Sequence, residues 1–473
     1  MKVENIYSSD FIDEIVQQNV NRNLILYNLF MKFIMNQSQY LKEKELAVRI
    51  YEQSKKIPPG ALAAVFSDPT FSYWVYLSNC IKKRLENGED IPISDLPYLK
   101  GLENIQLKSP LYFHLIEINR FLFSAAMLSR TPLEAPVNFL EGIFYLPILG
   151  LYFTSNIATT ITDASFSNHG DSFTFMIGDQ FFNKLERLLF LAESGSAKFL
   201  QEGNAFLQAS ILGPGGKIIL DRIDPFIRLE WSTLYRNPDG SGYSFIGFAE
   251  INNEVKIANN AFKLIEEYWF EMSNHISSTI RSIHLVKSPY PDRHMSCTSE
   301  LFFGSILTST GNEFQLAEAM VHEYSHDLLN MVILSGEIFE GEVPLEEIYY
   351  SPWRDDSRHI SGILHAVFVF INVSELLDRL STANSHNIYL NARKLENFIR
   401  LDMGLKVLKT FPFQKEFAKK LIVELEIKIE YLKIRYEKYD MSPSKQNQAI
   451  HLKKWVENHG KKNCPKSLLE YLL

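Results

Sequence analysis

Two histidines four residues apart, His322 and His326, lie in the run Val321-His322-Glu323-Tyr324-Ser325-His326. On a helix, residues at i and i+4 project from one face. Two imidazoles so placed can both reach one ion about 2 Å from each nitrogen. Glu323 points in an adjoining direction, where it can meet a metal-bound water or a substrate. The pattern predicts a catalytic metal held by His322 and His326, with Glu323 as the neighbouring catalytic group.

Two histidines leave such a site incomplete. The protease extension H-E-x-x-H-x-x-G-x-x-H is absent: Leu329 stands where its glycine would be, and Val332 where its last histidine would be. Glu337, Glu340, Glu342, Glu346 and Glu347 follow in an expected loop, and any of them could complete a two-His-one-Glu zinc site. A stronger candidate is His365, in the apolar run Ser361-Gly362-Ile363-Leu364-His365-Ala366-Val367-Phe368, with His359 next. The plainer alternative for His365 is a core histidine satisfied by a backbone carbonyl.

Before that run comes Tyr349-Tyr350-Ser351-Pro352-Trp353-Arg354-Asp355-Asp356-Ser357-Arg358. Ser357 or Asp356 is expected to cap the following helix. Arg358, Ser361, Gly362 and His365 would then share one face. An arginine two turns from a metal-bound His365 suits a carboxylate, which its planar fork grips in two places. The alternative for Arg354 or Arg358 is a salt bridge to Asp355 or Asp356.

At these residues the chain resembles the HExxH-motif peptide-modification proteins of bacterial ribosomal-peptide natural-product (RiPP) clusters. The resemblance rests on Leu316 to His326, Tyr350 to Arg358, and Ser361 to His365, and the preceding Gly304-Ser305-Ile306-Leu307-Thr308 also fits. It covers roughly residues 280 to 375, and Ala366 stands where the family often has glycine. The resemblance implies an Fe(II)- and 2-oxoglutarate-dependent oxygenase that uses O2 to hydroxylate a side-chain carbon of a precursor peptide. It implies iron ligands at His322, His326 and His365, and Arg354 or Arg358 binding the distal carboxylate of 2-oxoglutarate. Such a site leaves open positions for the 2-oxo acid and dioxygen, and Glu323 would act as an orienting group. On residue pattern alone the alternative is a zinc metallopeptidase with Glu323 as general base. A third reading is a peptide-binding scaffold with a closed structural metal.

The elements that must position these residues are legible in outline. Asn312 and Gln315 form a capping-box pattern at the start of the His322 helix, and Gly336 marks its end. Leu316, Met320, Leu328 and Leu329 supply its buried flanks. Residues 1–135 read as helical, 136–310 as mixed α/β and 311–473 as helical again, carrying the metal site. In the middle region, Ile227 to Trp231, Lys217 to Leu220 and Leu301 to Thr308 read as strands, 213–216 as a turn and 254–277 as one long amphipathic helix. Residues 417–439 read as a packed amphipathic helix. The expected fold class is α+β, mainly helical, with a small sheet next to the HExxH helix.

With 473 residues, 46% hydrophobic and 22% charged, the chain has the composition of a folded globular protein. A net charge of −8 gives no general attraction to nucleic acid or anionic lipid. Three dispersed cysteines suit a reducing cytoplasm and form no metal spacing. No signal sequence is expected at the start, and the apolar stretch 142–153, which contains Pro147, is too short to span a bilayer. The expected partner is a precursor peptide, held in one reading by edge addition to a strand.

Overall fold

A computed structural model describes residues 8–93, 96, 109–140, 142–154, 160–168, 173–182, 185–194, 198–221, 224, 227, 251–288, 294–341, 343, 348–383, 388–460 and 464–469. The fold is α+β and mainly helical, as the sequence predicts.

Five helices come first: α1 (Ser9–Met35), α2 (Leu41–Ser54), α3 (Pro59–Phe66), α4 (Pro69–Glu86) and α5 (Pro110–Ser129). Their starts follow local rules. Asp68 caps α4 by accepting the Thr70 amide, and Ser109 caps α5 by accepting that of Tyr112, each followed by proline at the first helical position. Strands β1 (Leu133–Phe139), β2 (Ile143–Leu146), β3 (Leu151–Thr154), β4 (Thr160–Asn168), β5 (Phe173–Ile177) and β6 (Gln180–Phe182) follow. Next come α6 (Glu186–Ser194), β7 (Leu200–Glu202), β8 (Ala205–Leu207), β9 (Ser210–Gly213) and β10 (Gly216–Asp221). Then come α7 (Ile251–Tyr268), α8 (Phe270–Thr279), β11 (Ser282–Val286), β12 (Ser296–Cys297) and β13 (Ser305–Ser309). The remainder is α9 (Glu313–Leu334), a β14 (Ile348–Tyr349) and β15 (Arg358–His359) hairpin, α10 (Ile360–Ala383), α11 (Ile388–Leu408), α12 (Glu416–Tyr436), α13 (Ser442–His459) and α14 (Lys466–Leu469).

The chain forms two compact units, one of residues 16–262 and 277–316, the other of 1–15, 263–276 and 317–473. The three-region reading differs from this: the N-terminal helices and the strand region belong to one unit. The reason lies in packing, since α5 lays its buried face on β1 and β2, and their side chains share one aromatic-rich core. The first unit holds two antiparallel sheets, β1-β4-β5-β6 and β2-β3-β8-β7. It also holds a mixed sheet ordered β9-β10-β11-β13-β12, in which β10, β11 and β13 run parallel.

Several elements depart from expectation. The long helix at 254–277 is two helices, α7 and α8, meeting at Trp269. The strand expected over 301–308 runs from Ser305 to Ser309. The run after Ile227, read as a strand, lies outside the described residues, as do Glu342, Glu346 and Glu347.

In the second unit α10 is the central helix and packs against α11 and α12. Among the described residues it is also the one helix long and apolar enough to cross a bilayer, with mean hydropathy 1.8. The sequence reading singled out 142–153 as the apolar stretch, whereas this helix, 360–383, is the longer apolar run. Of that apolar window, 67% is buried inside the protein, which is what a core helix requires.

Candidate metal centre

The helix carrying the histidine pair begins as its capping pattern predicts. Gln315 N–H donates to Asn312 Oδ1 (3.0 Å), and Asn312 N–H donates back to Gln315 Oε1 (3.1 Å). Leu316, Met320, Leu328 and Leu329 are all fully buried, and Gly336 takes the left-handed conformation (φ 78°) just past the helix end.

α9 and α10 are joined beside the histidines. Asn372 Nδ2 donates to Ser325 Oγ (3.0 Å), which itself donates to the Val321 carbonyl (2.7 Å). Across this contact the rings of His326 and His365 stack, with centroids 5.1 Å apart, and their Nδ1 atoms are separated by 3.0 Å. The His322 ring lies edge-on to His326 (4.9 Å) and to Phe370 (5.1 Å). The structure thus brings His322, His326 and His365 together, although His365 is 39 residues from His326.

Burial and the neighbouring imidazoles His322 and His365 hold the pKa of His326 well below the usual histidine value, and burial brings His365 down to about 4. Both rings are therefore neutral at physiological pH, the form that binds a metal. One Nδ1 of the pair carries the proton and the other accepts it. The same 3.0 Å separation fits two nitrogens on one ion: with bonds of about 2.1 Å it subtends roughly 90°.

The third donor is not aimed in the same way. Among the described residues no group of three or more His, Cys, Asp or Glu side chains is placed so that it could hold a metal ion together. His322 Nε2 instead lies 3.9 Å from Glu323 Oε1, in a carboxylate that is itself buried. The donor set fits a metal in kind and in backbone position. Two nitrogens stand close together, and His322 lies edge-on beside His326.

The approach to α10 differs from the sequence reading. Residues 358–359 pair with 348–349 as β15, so the helix starts at Ile360 and neither Asp356 nor Ser357 caps it. His359 does: its Nδ1 accepts the Ser361 amide (3.3 Å) and lies 2.8 Å from Ser361 Oγ. Its Nδ1 is engaged there, while its buried Nε2 has no hydrogen-bond partner among the described residues. Arg358 is a strand residue, yet its side chain still lies over Gly362, where a Cβ would meet it at 3.7 Å.

Both arginines hold the same carboxylate. Arg354 Nε donates to Asp356 Oδ1 (3.0 Å), and Arg358 Nε sits 3.1 Å from Oδ2 at an angle that makes an ion pair but no hydrogen bond. Asp355 pairs instead with Lys454 (2.9 Å) and His451 (3.4 Å). The arginine side chains are 59% and 36% exposed, so these pairs are weak and exchangeable.

One wall of the site was seen from sequence only in part: Trp353 lies in the run already singled out, but Phe370 and Gly404 do not. Trp353 stacks on Phe370 (5.3 Å, 12°), and Phe370 meets His322. A Cβ at Gly404 would stand 2.8 Å from Val367 and 2.9 Å from the Trp353 ring, so only glycine lets the indole seat there. The available signal was weak: a tryptophan beside the arginines and a lone glycine in a helical pattern. Neither a scan against protein-family models nor a search of curated proteins finds a match for this chain.

Proposed function

We propose that this protein is an Fe(II)- and 2-oxoglutarate-dependent oxygenase that hydroxylates a side-chain carbon of a ribosomally made precursor peptide. The observation that supports it most is the gathering of three imidazoles, with His326 and His365 Nδ1 3.0 Å apart and His322 beside His326. In this reading His322, His326 and His365 hold iron, which supplies the oxygen-activating chemistry when bound. The half-buried imidazoles of His326 and His365 are neutral and present lone pairs without competition from protons. Phe370 and Trp353 form an apolar wall beside His322 that limits water at the site. Arg358, and Arg354 beside it, exchange Asp356 for the distal carboxylate of 2-oxoglutarate. Glu323, buried next to His322, orients that ring.

A second reading, a zinc peptidase, draws support from the same Glu323 and from the engagement of both arginines by Asp356. There Glu323 serves as base toward a bound water. The test is to load the protein anaerobically with Fe(II), add 2-oxoglutarate, and look for the weak visible charge-transfer band of the chelate. Incubation with a precursor peptide encoded nearby follows, read by mass. The band and a gain of one oxygen atom are expected. Tight zinc, no band and a cleaved peptide would overturn the oxygenase reading in favour of the peptidase.

A further inference from the structure

The unit formed by residues 16–262 and 277–316 contains a cavity of about 300 Å³ that the histidine chemistry does not use. Its lining is rich in charge: Asp68, Asp221, Asp224, Lys217 and Arg281, with Tyr145. Three of these are accounted for by their neighbours. Asp224 is gripped at both oxygens by Arg120 (2.8 and 3.1 Å). Asp221 Oδ1 accepts from Gln208 (2.7 Å) and from the Asp224 amide (3.1 Å). Lys217 donates to the Ala192 carbonyl.

The remaining groups are less well satisfied. Asp68 spends one oxygen, Oδ1, on the Thr70 amide and hydroxyl. Burial pushes its pKa up to about 6, the mark of a carboxylate short of positive charge. Arg281 feels the charge of Asp68, yet the two do not close an ion pair, and its guanidinium bonds to no described residue. Tyr145 is 3% exposed, and its hydroxyl makes no hydrogen bond among the described residues. A guanidinium and a carboxylate that face one cavity without closing a pair leave contacts that a ligand would supply.

Charge balance selects the ligand. Among the described residues lining it, Asp68, Asp221 and Asp224 face Lys217 and Arg281, and Arg120 behind them pairs with Asp224, so these six groups balance in number. A phosphate or a simple carboxylate would leave an enclosed surplus of negative charge, and an amine would leave a surplus of positive charge. A molecule carrying both ends leaves none. We propose that this cavity binds a small zwitterion of the amino-acid class, its carboxylate on Arg281 with the Tyr145 hydroxyl, and its ammonium group on Asp68. The volume admits a free amino acid and excludes a folded peptide segment.

The test titrates the full-length protein with each standard L-amino acid, by calorimetry and by thermal shift. For the tightest binder, the same acid without its ammonium group and the same amine without its carboxylate are titrated in parallel. Saturable binding of at least one amino acid is expected, with each half-molecule weaker by about tenfold or more, as loss of one charge-assisted contact implies. Arg281→Met and Asp68→Asn should each weaken it by a similar factor. Because Arg281 closes no ion pair or hydrogen bond among the described residues, Arg281→Met should change the melting temperature of the ligand-free protein little. Absence of binding by every amino acid overturns the proposal, as do half-molecules that bind equally well. A sharp fall in the ligand-free melting temperature of Arg281→Met also overturns it, because the guanidinium would then be structural.

Discussion

Arg354 and Arg358 converge on Asp356 in the structure, and this arrangement suggests how a carboxylate clamp there would be exposed. If the arginines hold 2-oxoglutarate, Asp356 competes with it. Asp356→Asn should then lower the concentration of 2-oxoglutarate needed for half-maximal turnover by a few-fold, while Arg358→Ala raises it and leaves metal content unchanged. Opposite movement, or none, would assign both arginines to surface ion pairing and favour the peptidase reading. The histidines separate by the same logic. His365→Ala should abolish stoichiometric metal binding, measured by elemental analysis of the purified protein. His359→Ala should keep the metal and cost about 1 kcal/mol in denaturant unfolding, the usual loss for a helix cap.

At the scale of elements, two features hold the site in place. The reciprocal Asn312–Gln315 bonds satisfy two amides at the start of α9. Asn312→Ala should therefore shift the denaturation midpoint by an amount equal to about 1 kcal/mol, with the slope unchanged. On α11, Gly404 leaves room for the Trp353 ring and Val367. Gly404→Ala should destabilise by about 1–3 kcal/mol through overpacking. It should also move Trp353 off Phe370, which near-ultraviolet circular dichroism would report. An unchanged spectrum would show that the wall beside His322 yields elsewhere.

For the molecule as a whole, the pH dependence of stability has an identifiable source in α5. Burial lifts Glu117 from 4.5 to about 7 and depresses His114 from 6.5 to about 3. Glu117 holds its proton more tightly folded than unfolded, so its contribution is fully present below about 4.5 and is lost as pH rises through about 7. His114 holds its proton less tightly when folded, so its contribution is lost as pH falls from 6.5 towards about 3. The two slopes oppose each other. Glu117→Gln keeps an acceptor for Asn138, which donates to Glu117 at 3.1 Å, and removes only the first slope. The difference between wild-type and variant stability should grow between pH 4.5 and 7 in the variant's favour. A flat difference across that range would refute the assignment.

What the sequence determined by itself is what depends on neighbours along the chain. Helix periodicity, the Asn312–Gln315 cap, the Gly336 stop and the shared face of His322 and His326 all follow from offsets of three and four residues. The same rules failed where a few residues changed state. Pairing of 358–359 with 348–349 moved the start of α10 and passed the cap from Ser357 or Asp356 to His359. Such a short hairpin owes its existence to what packs around it, which periodicity does not record. Only the tertiary structure decided that His365 would stand beside His326, because α9 and α10 meet through Asn372 and Ser325 and not through any sequence spacing. It alone gathered Asp68, Tyr145 and Arg281, from a helix cap, a strand and the start of the central strand of a mixed sheet, around one cavity. Burial of charge is a property of what surrounds a residue in space, and the order of residues along the chain does not carry it.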